Sequence, residues 1–394
     1  MLQKLQIHTF LYWLLFFTIL SSCQDTTQSK KTPLNSAKTN SKVADSLPLT
    51  YATGFSITEN EHYKVLTINN PWPNAQKQYK YVLLEKNQDR NNIPESEQYT
   101  AIITVPITKI VVTSTTHIPA LELLEEENAL IGFPGTDYIS SQKTRQLIAS
   151  GAIRELGKTE NLNTEVLLEL FPEVVIGFGI DNNNQGFETI QKAGIPVIYN
   201  GDWVENSPLA KAEWIKFFGA LFNKGAEANR IFKTIETNYL EAKELAKNTN
   251  KNIQVLSGAM HKDIWYLPSG NSPEAQLLRD ANLNSFWKNS TNKGSLALSF
   301  EVVFDTAKNA DLWISPSYYN SFSALQKANA HYTKFKPFKE NKIYSFVNTT
   351  GSTGGVTYYE LGTARPDLVL KDLVKIAHPE LLVNYELQFF KPLQ

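Results

Sequence analysis

The sequence predicts an α/β protein of two lobes joined by a long helical connection, with a small β extension in front. Three observations carry this prediction. Between residues 110 and 199 short apolar strands alternate with helical segments. The same alternation resumes after residue 253, and residues 207–248 between the two stretches read as two consecutive helices. Strands that alternate with helices imply parallel βαβ units. A chain of 394 residues is also too long for one compact core, which favours two domains.

At the N-terminus, Lys4 and His8 precede an apolar run at 10–20. That run is too short to cross a bilayer and has the size of a signal-peptide core. It ends in Leu20-Ser21-Ser22-Cys23, which resembles a bacterial lipobox. The resemblance implies a signal peptide at 1–22, cleaved before Cys23, and a lipid on that cysteine; the other reading is a free thiol behind an ordinary signal. Cys23 is the one cysteine of the chain. A lipidated Cys23 leaves no thiol for a disulfide or a metal and anchors the chain by acyl groups. Residues 23–46, rich in Thr, Ser, Lys and Asn, are expected to be a flexible tether. Residues 47–106 form the β extension, with strands expected at 63–68, 79–84 and 99–105.

The first lobe is placed at 107–206. Strands are expected at 110–112, 130–133, 174–176 and 197–199, and helices at 118–126, 141–149, 164–170 and 187–193. The strap follows at 207–248. Ser207 suits an N-cap and Pro208 the first helical position. Trp214, Phe217, Phe218, Leu221 and Phe222 share one broad face. Asn223-Lys224-Gly225 interrupts, and Ile231, Ile235, Tyr239, Ala242 and Leu245 line the second helix. Roughly 23 helical residues reach about 34 Å, enough to cross between lobes. Alone, such a helix is equally an ordinary surface helix; the α/β segments on both sides favour a bridge. The second lobe is placed at 249–394, with strands at 253–256, 312–314 and 343–346 and helices beginning at Pro273, Phe300 and Pro366.

A net charge of −1 offers no basic field for nucleic acid. Hydrophobic content of 42% and charge of 20% describe a globular protein. No G-x-S-x-G, H-E-x-x-H, C-x-x-C or lysine-bearing phosphate loop occurs. The chain is therefore expected not to be an enzyme; a lipid-anchored hydrolase with a scattered catalytic set and a purely structural surface lipoprotein are the rival classes. One internal echo stands out. Asn163-Thr164-Glu165-Val166-Leu167-Leu168 and Ser299-Phe300-Glu301-Val302-Val303-Phe304 each place a cap residue, a glutamate two positions on and an apolar triplet. Favourable placement on a helix dipole explains such glutamates without further function.

The segment from Glu165 to Gly177 resembles one found in substrate-binding proteins of ABC importers, in the subgroup taking up iron–siderophore complexes, vitamin B12 or haem. Matching segments lie at 110–124, at Trp265-Tyr266-Leu267-Pro268-Ser269-Gly270-Asn271-Ser272, at Gly354-Gly355-Val356-Thr357-Tyr358-Tyr359-Glu360 and at 365–381. The resemblance covers about residues 107–382; the extension and the Gln/Asn-rich composition are similar to versions from Bacteroidetes-type bacteria. It implies two Rossmann-like lobes joined by one rigid helix, a ligand in the cleft between them, and docking of Glu165 and Glu301 onto arginines of a membrane permease. It also implies a monomer, without cofactor, facing the periplasm of a bacterial cell envelope from its lipid anchor.

Ligands of open α/β sheets sit beyond the carboxyl ends of the strands. This nominates the loops at 114–117, 135–138, 179–183, 202–203, 260–261, 265–266, 318–319 and 353–358. The candidate ligand-binding residues are Thr116, His117, Tyr138, Trp203, His261, Trp265, Tyr266, Tyr318 and Tyr358. Each aromatic among them is also readable as a core or rim residue. His117 and His261 each follow the first strand of a lobe and are expected to face one another, as haem or a metal would require; buried or hydrogen-bonding histidines are the plainer reading. The His, Asp and Glu spacing supports no bare metal site, and His378 is read as structural. A ferric siderophore is the first choice of ligand. The cleft loops hold few cations, Lys262 being one, which keeps cobalamin close behind, with haem third.

Overall fold

The computed structural model describes residues 48–95, 97–181 and 185–394. The signal peptide, Cys23 and the tether lie outside the described residues, as do Asn182 and Asn183 of one nominated loop. Among the described residues no helix is long and apolar enough to cross a membrane.

The extension is a four-stranded sheet of β1 (Phe55–Glu59), β2 (Tyr63–Ile68), β3 (Tyr79–Glu85) and β4 (Ala101–Val105), in sequence order. Three of these strands follow the alternation in the sequence; β1, with its Gly54 and Asn60 flanks, was not legible there. The first lobe holds β5 (Ile110–Val112), β6 (Leu130–Phe133), β7 (Arg154–Glu155), a small hairpin β8 (Gly157–Lys158) and β9 (Asn161–Leu162), then β10 (Val174–Phe178) and β11 (Val197–Asn200). Its parallel sheet runs β11-β10-β5-β6-β7. The helices are α1 (Ile118–Leu123), α2 (Gln142–Ala149), α3 (Thr164–Leu170) and α4 (Gln185–Lys192).

The strap contains three helices, α5 (Pro208–Ala212), α6 (Ile215–Leu221) and α7 (Gly225–Lys247). The single helix expected from Ser207 to Phe222 is thus broken at Glu213 and Trp214. Every residue of α6 is buried, so it is not the one-faced helix its pattern implied. The extension sheet covers its far side, with Phe55 against Trp214 and Phe217.

The second lobe contains β12 (Ile253–Ser257), β13 (Ala259–His261), β14 (Ile264–Pro268), β15 (Leu283–Ser285), β16 (Ser295–Leu298), β17 (Leu312–Ile314), β18 (Ile343–Ser345) and β19 (Lys391–Pro392). The main sheet runs β15-β12-β17-β18-β19, parallel except for β19. A second sheet, β13-β14-β16, is antiparallel. The helices are α8 (Pro273–Asp280), α9 (Phe300–Ala307), α10 (Phe322–Ala328), α11 (Lys336–Lys339), α12 (Thr357–Leu361) and α13 (Pro366–Ala377).

Core packing explains why α7 bridges. Its first half gives Ala228, Phe232 and Ile235 to the core shared by the extension, the first lobe and α6. Its second half gives Tyr239, Ala242 and Ala246 to the core of the second lobe, against α13. Burying a stripe of one helix in two separate cores makes that helix a rigid part of both. The extension is equally integral: the Tyr81 hydroxyl donates to the Val197 carbonyl at 2.9 Å.

Candidate functional site

The main sheets differ in strand order, β11-β10-β5-β6-β7 against β15-β12-β17-β18-β19, but in both the first strand is internal, with later strands on either side. The order reverses between β5 and β10 in one lobe and between β12 and β17 in the other, and such switch points open the crevice in which α/β proteins bind ligands. Around β5 and β10, Ser114 caps a short 3-10 turn at Thr115–His117, and the Phe178 amide donates to the Thr113 hydroxyl at 2.8 Å. Beyond β10, Ile180 is exposed. Around β12 and β17, Gly258 must be glycine, since a Cβ there would lie 1.8 Å from the Tyr266 carbonyl oxygen. Ser315 and Ser317 adopt left-handed backbone, φ 56° and 54°, and turn Tyr318 into solvent, 75% exposed.

The lobes touch through their second and fourth strands' loops. The Glu360 carboxylate in α12 accepts from the Ser140 and Ser141 amides at 2.6 and 2.9 Å, so the second lobe caps the start of α2 in the first. The Thr353 hydroxyl donates to the Asp137 carbonyl at 2.8 Å. Gly355 lies so close that a Cβ would sit 2.2 Å from the Tyr138 carbonyl oxygen. Tyr138, 73% exposed, therefore stands beside the 351–356 loop of the opposite lobe. Tyr318 and Tyr359 lie together, ring centroids 6.4 Å apart, and both are exposed.

Three nominated residues are elsewhere. Trp265 is fully buried, stacked on Trp313 at 5.5 Å, and its indole N–H donates to the Ser257 carbonyl at 3.0 Å; it is a core residue. Its neighbour Tyr266 faces the other side of β14 and is exposed. The Tyr358 ring stacks flat on Phe346 at 4.3 Å and meets Phe389 and Phe390, so it belongs to the core; burial pushes its hydroxyl well above the usual range. His117 is completely buried, 5.7 Å from the Phe218 ring, whereas His261 is exposed on the β13–β14 hairpin. The two histidines do not face one another. Among the described residues no three His, Cys, Asp or Glu side chains converge where they could hold a metal ion.

Neither ring nitrogen of His117 has a hydrogen-bond partner among the described residues. Burial lowers its pKa to about 3 from 6.5. The ring is neutral in the fold but protonates in the unfolded chain, so this group's contribution is complete above pH 6.5 and is lost as pH falls towards 3. At pH 5 the linkage amounts to about 2 kcal/mol. We expect His117→Leu to remove that part of the acid sensitivity, read as the change in urea-unfolding free energy between pH 8 and pH 5. An unchanged pH dependence in the variant would show that the ring titrates freely.

Of the other nominated residues, Tyr138, Tyr266, Tyr318 and His261 are exposed, while Thr116 and Trp203 are half-buried, with Thr116 hydrogen-bonded to Ser114 at 2.9 Å. Trp203 lines a cavity of about 720 Å³ bounded by parts of residues 53–74, 201–211 and 271–295. Trp72, Lys211, Glu274 and Lys293 also line it, and sequence reasoning missed all four. They come from three remote stretches of chain, and no periodicity connects them. Asp202 lies buried beside this wall; burial raises its pKa to about 6, with Lys211 and the Thr116 hydroxyl acting in the opposite direction.

Glu165 and Glu301 are both exposed, in the first turns of α3 and α9. α3 leads into β10 and α9 into β17, each the neighbour of its sheet's first strand. Helices of βαβ units run against their strands, which puts both glutamates at the cleft side. Asn163 and Ser299 cap the two helices through the amides of Val166 and Val302. The Glu301 carboxyl is held below its usual range by its own backbone amide and the Ser299 hydroxyl.

This architecture is similar to that of known proteins. The family model described as "Periplasmic binding protein" matches residues 110–345. An uncharacterized lipoprotein of Methanocaldococcus jannaschii is 28% identical over 296 residues, covering 73% of this chain and 69% of its own. A possible iron-binding (periplasmic solute-binding) protein from Staphylococcus epidermidis superposes with TM-score 0.55 at 17% identity, over 69% of this chain and 99% of that one. The periplasmic heme binding protein of Vibrio cholerae gives 0.51 at 14%, over 67% and 99%. At these identities the structural likeness is one of fold. The family match covers the first main sheet, the strap and the second main sheet except β19, and the chain belongs to the periplasmic binding protein family.

Proposed function

We propose that this protein is the substrate-binding component of an ABC importer, lipid-anchored through Cys23, which captures a ferric siderophore in the interlobe cleft and delivers it to the permease. The observation that carries this reading is the pair of exposed glutamates, Glu165 and Glu301, at equivalent places on the two lobes and on the cleft side. Exposed carboxylates so placed offer two charge-assisted contacts that orient a partner across both lobes at once. The exposed Tyr138, Tyr318 and Tyr359 supply flat apolar surface for a large chelate. The Staphylococcus and Vibrio proteins bear names that refer to iron and heme, which favours an iron-bearing solute here.

Tryptophan fluorescence of the full chain in detergent, titrated with ferric siderophores, cobalamin and haemin, tests the ligand. Saturable quenching by a ferric siderophore, beyond inner-filter loss, is the expected result. Quenching by cobalamin or haemin alone would move the assignment to that ligand within the same function. Silence with all three would overturn the solute-binding reading.

A further inference from the structure

The two edges of the cleft are built differently. In the first lobe β6 and β11 lie on opposite sides of β5, and in the second β18 and β15 lie on opposite sides of β12. Residues that follow β11 and β15, at 201–206 and 293–295, line the cavity that Trp203 also lines. Residues that follow β6 and β18, at 135–141 and 351–360, meet each other directly.

That junction is closely fitted. A Cβ on Gly351 would lie 2.5 Å from the Ser140 Cα, so backbone rests on backbone there as it does at Gly355. The loop also closes on itself. The Gly351 amide donates to the Gly355 carbonyl at 2.8 Å, and the Thr357 amide to the Thr349 carbonyl at 3.0 Å. α12 then runs beside α1 and the Thr115–His117 turn of the first lobe. Two carboxylates converge on the start of α2. Glu122, from α1 of the same lobe, accepts from the Ser141 and Thr144 hydroxyls. Glu360, from the second lobe, takes the Ser140 and Ser141 amides.

Glu360 is 3% exposed and forms no ion pair among the described residues. Burial holds its carboxyl above the usual range, with Glu122 acting in the same direction and the Ser140 and Ser141 amides against it. A buried carboxylate met by amides but by no cation forms its hydrogen bonds against a desolvation cost. The joint is therefore specific in geometry and still able to release.

We propose that the 351–360 segment is a latch: Glu360 and Thr353 pin the two lobes together at the edge of β6 and β18, so that movement of one lobe against the other widens chiefly the opposite edge, where the cavity lies. A pin at one edge turns relative motion into a swing about that edge. The latch goes beyond the solute-binding reading and stands whatever molecule the cleft takes.

The test is the spread of interlobe distances, read by double electron–electron resonance on the full chain in detergent with Cys23→Ser. Exposed positions carry the spin labels. Arg154→Cys in β7 with Lys391→Cys in β19 spans the latched edge, and Ala193→Cys before β11 with Asn289→Cys after β15 spans the cavity edge. A narrow distribution is expected across the first pair and a broader one across the second. Glu360→Ala is expected to broaden the first pair and move it to longer distance, and Thr353→Val to do so less. Glu122→Ala is the control, since it removes a cap of α2 from within the first lobe. It is expected to lower the thermal-unfolding midpoint and leave the first pair narrow. Equal widths at the two pairs before any latch substitution would overturn the proposal. So would an unchanged first pair in folded Glu360→Ala, or equal broadening by Glu122→Ala. If Glu360→Ala does not fold, Glu360→Gln combined with Thr353→Val takes its place: broadening supports the latch, and an unchanged width overturns it.

Discussion

Replacing Glu165 and Glu301 together by alanine is expected to abolish permease-coupled uptake while leaving solute affinity unchanged. Both carboxylates are exposed, and neither lines the cavity or forms an ion pair among the described residues. Their removal therefore costs the fold and the ligand little. On the proposed reading each carboxylate meets an arginine of the permease, and losing a charge-assisted interfacial contact typically costs 2–5 kcal/mol, so the pair amounts to roughly 100-fold or more in coupling. One glutamate alone should give an intermediate loss, since the other lobe still docks. The measurement is transport, or stimulation of ATP hydrolysis, in proteoliposomes holding the cognate permease, beside fluorescence titration of the free protein. A double variant that transports normally would reject docking through these residues. One that loses solute affinity would place the glutamates in the pocket or the fold.

The largest stability effect is expected at Glu213. This carboxylate is fully buried and accepts from the amides of Thr50, Tyr51 and Ala52 at 2.9, 2.7 and 2.8 Å. It also pairs with the buried Lys216 ammonium at 2.8 Å, which in turn donates to the Pro48 carbonyl at 2.8 Å. Glu213→Ala strands three amides and one buried cation at once. Breaking a buried pair from one side costs about 3–5 kcal/mol, and the unmet backbone donors act in the same direction. Urea unfolding should show that loss as a lower midpoint, and limited proteolysis should open new cuts near residues 48–54. Glu213→Gln, which keeps one acceptor oxygen, should lie between. A loss below about 1 kcal/mol for the alanine variant would show that the segment does not depend on this carboxylate.

The architecture was largely legible in the sequence because its signals are local. The strand at Ile110–Val112, the helix at Thr164–Leu170 and the long run of α7 are each set by nearby apolar spacing and caps. The echo that singled out Glu165 and Glu301 also survives as matched positions in the two lobes. The site was less legible, because burial depends on residues distant in the chain. Ile264-Trp265-Tyr266-Leu267 is apolar at every position, so nothing in that run tells which face is covered; Trp313 and Tyr332 decide it. His117 follows a strand end as a cleft residue should, yet α6 places Phe218 against it. The same limit hid Lys211 and Lys293, which stand far apart in sequence and line one cavity.

The pinned segment at 48–54 also has a mechanical meaning. Besides Glu213 and Glu205, it is tied to α7 by the Tyr51 hydroxyl, which donates to Glu236 at 2.7 Å. With the proposed anchor on Cys23, a pull along the chain reaches this segment, which begins the described residues. The load then passes into α6, embedded in the first core, and into α5 and α7, which give residues to both cores. On the proposed function, motion at the membrane would then load the helices that join the two cores ahead of the surfaces proposed to hold the solute.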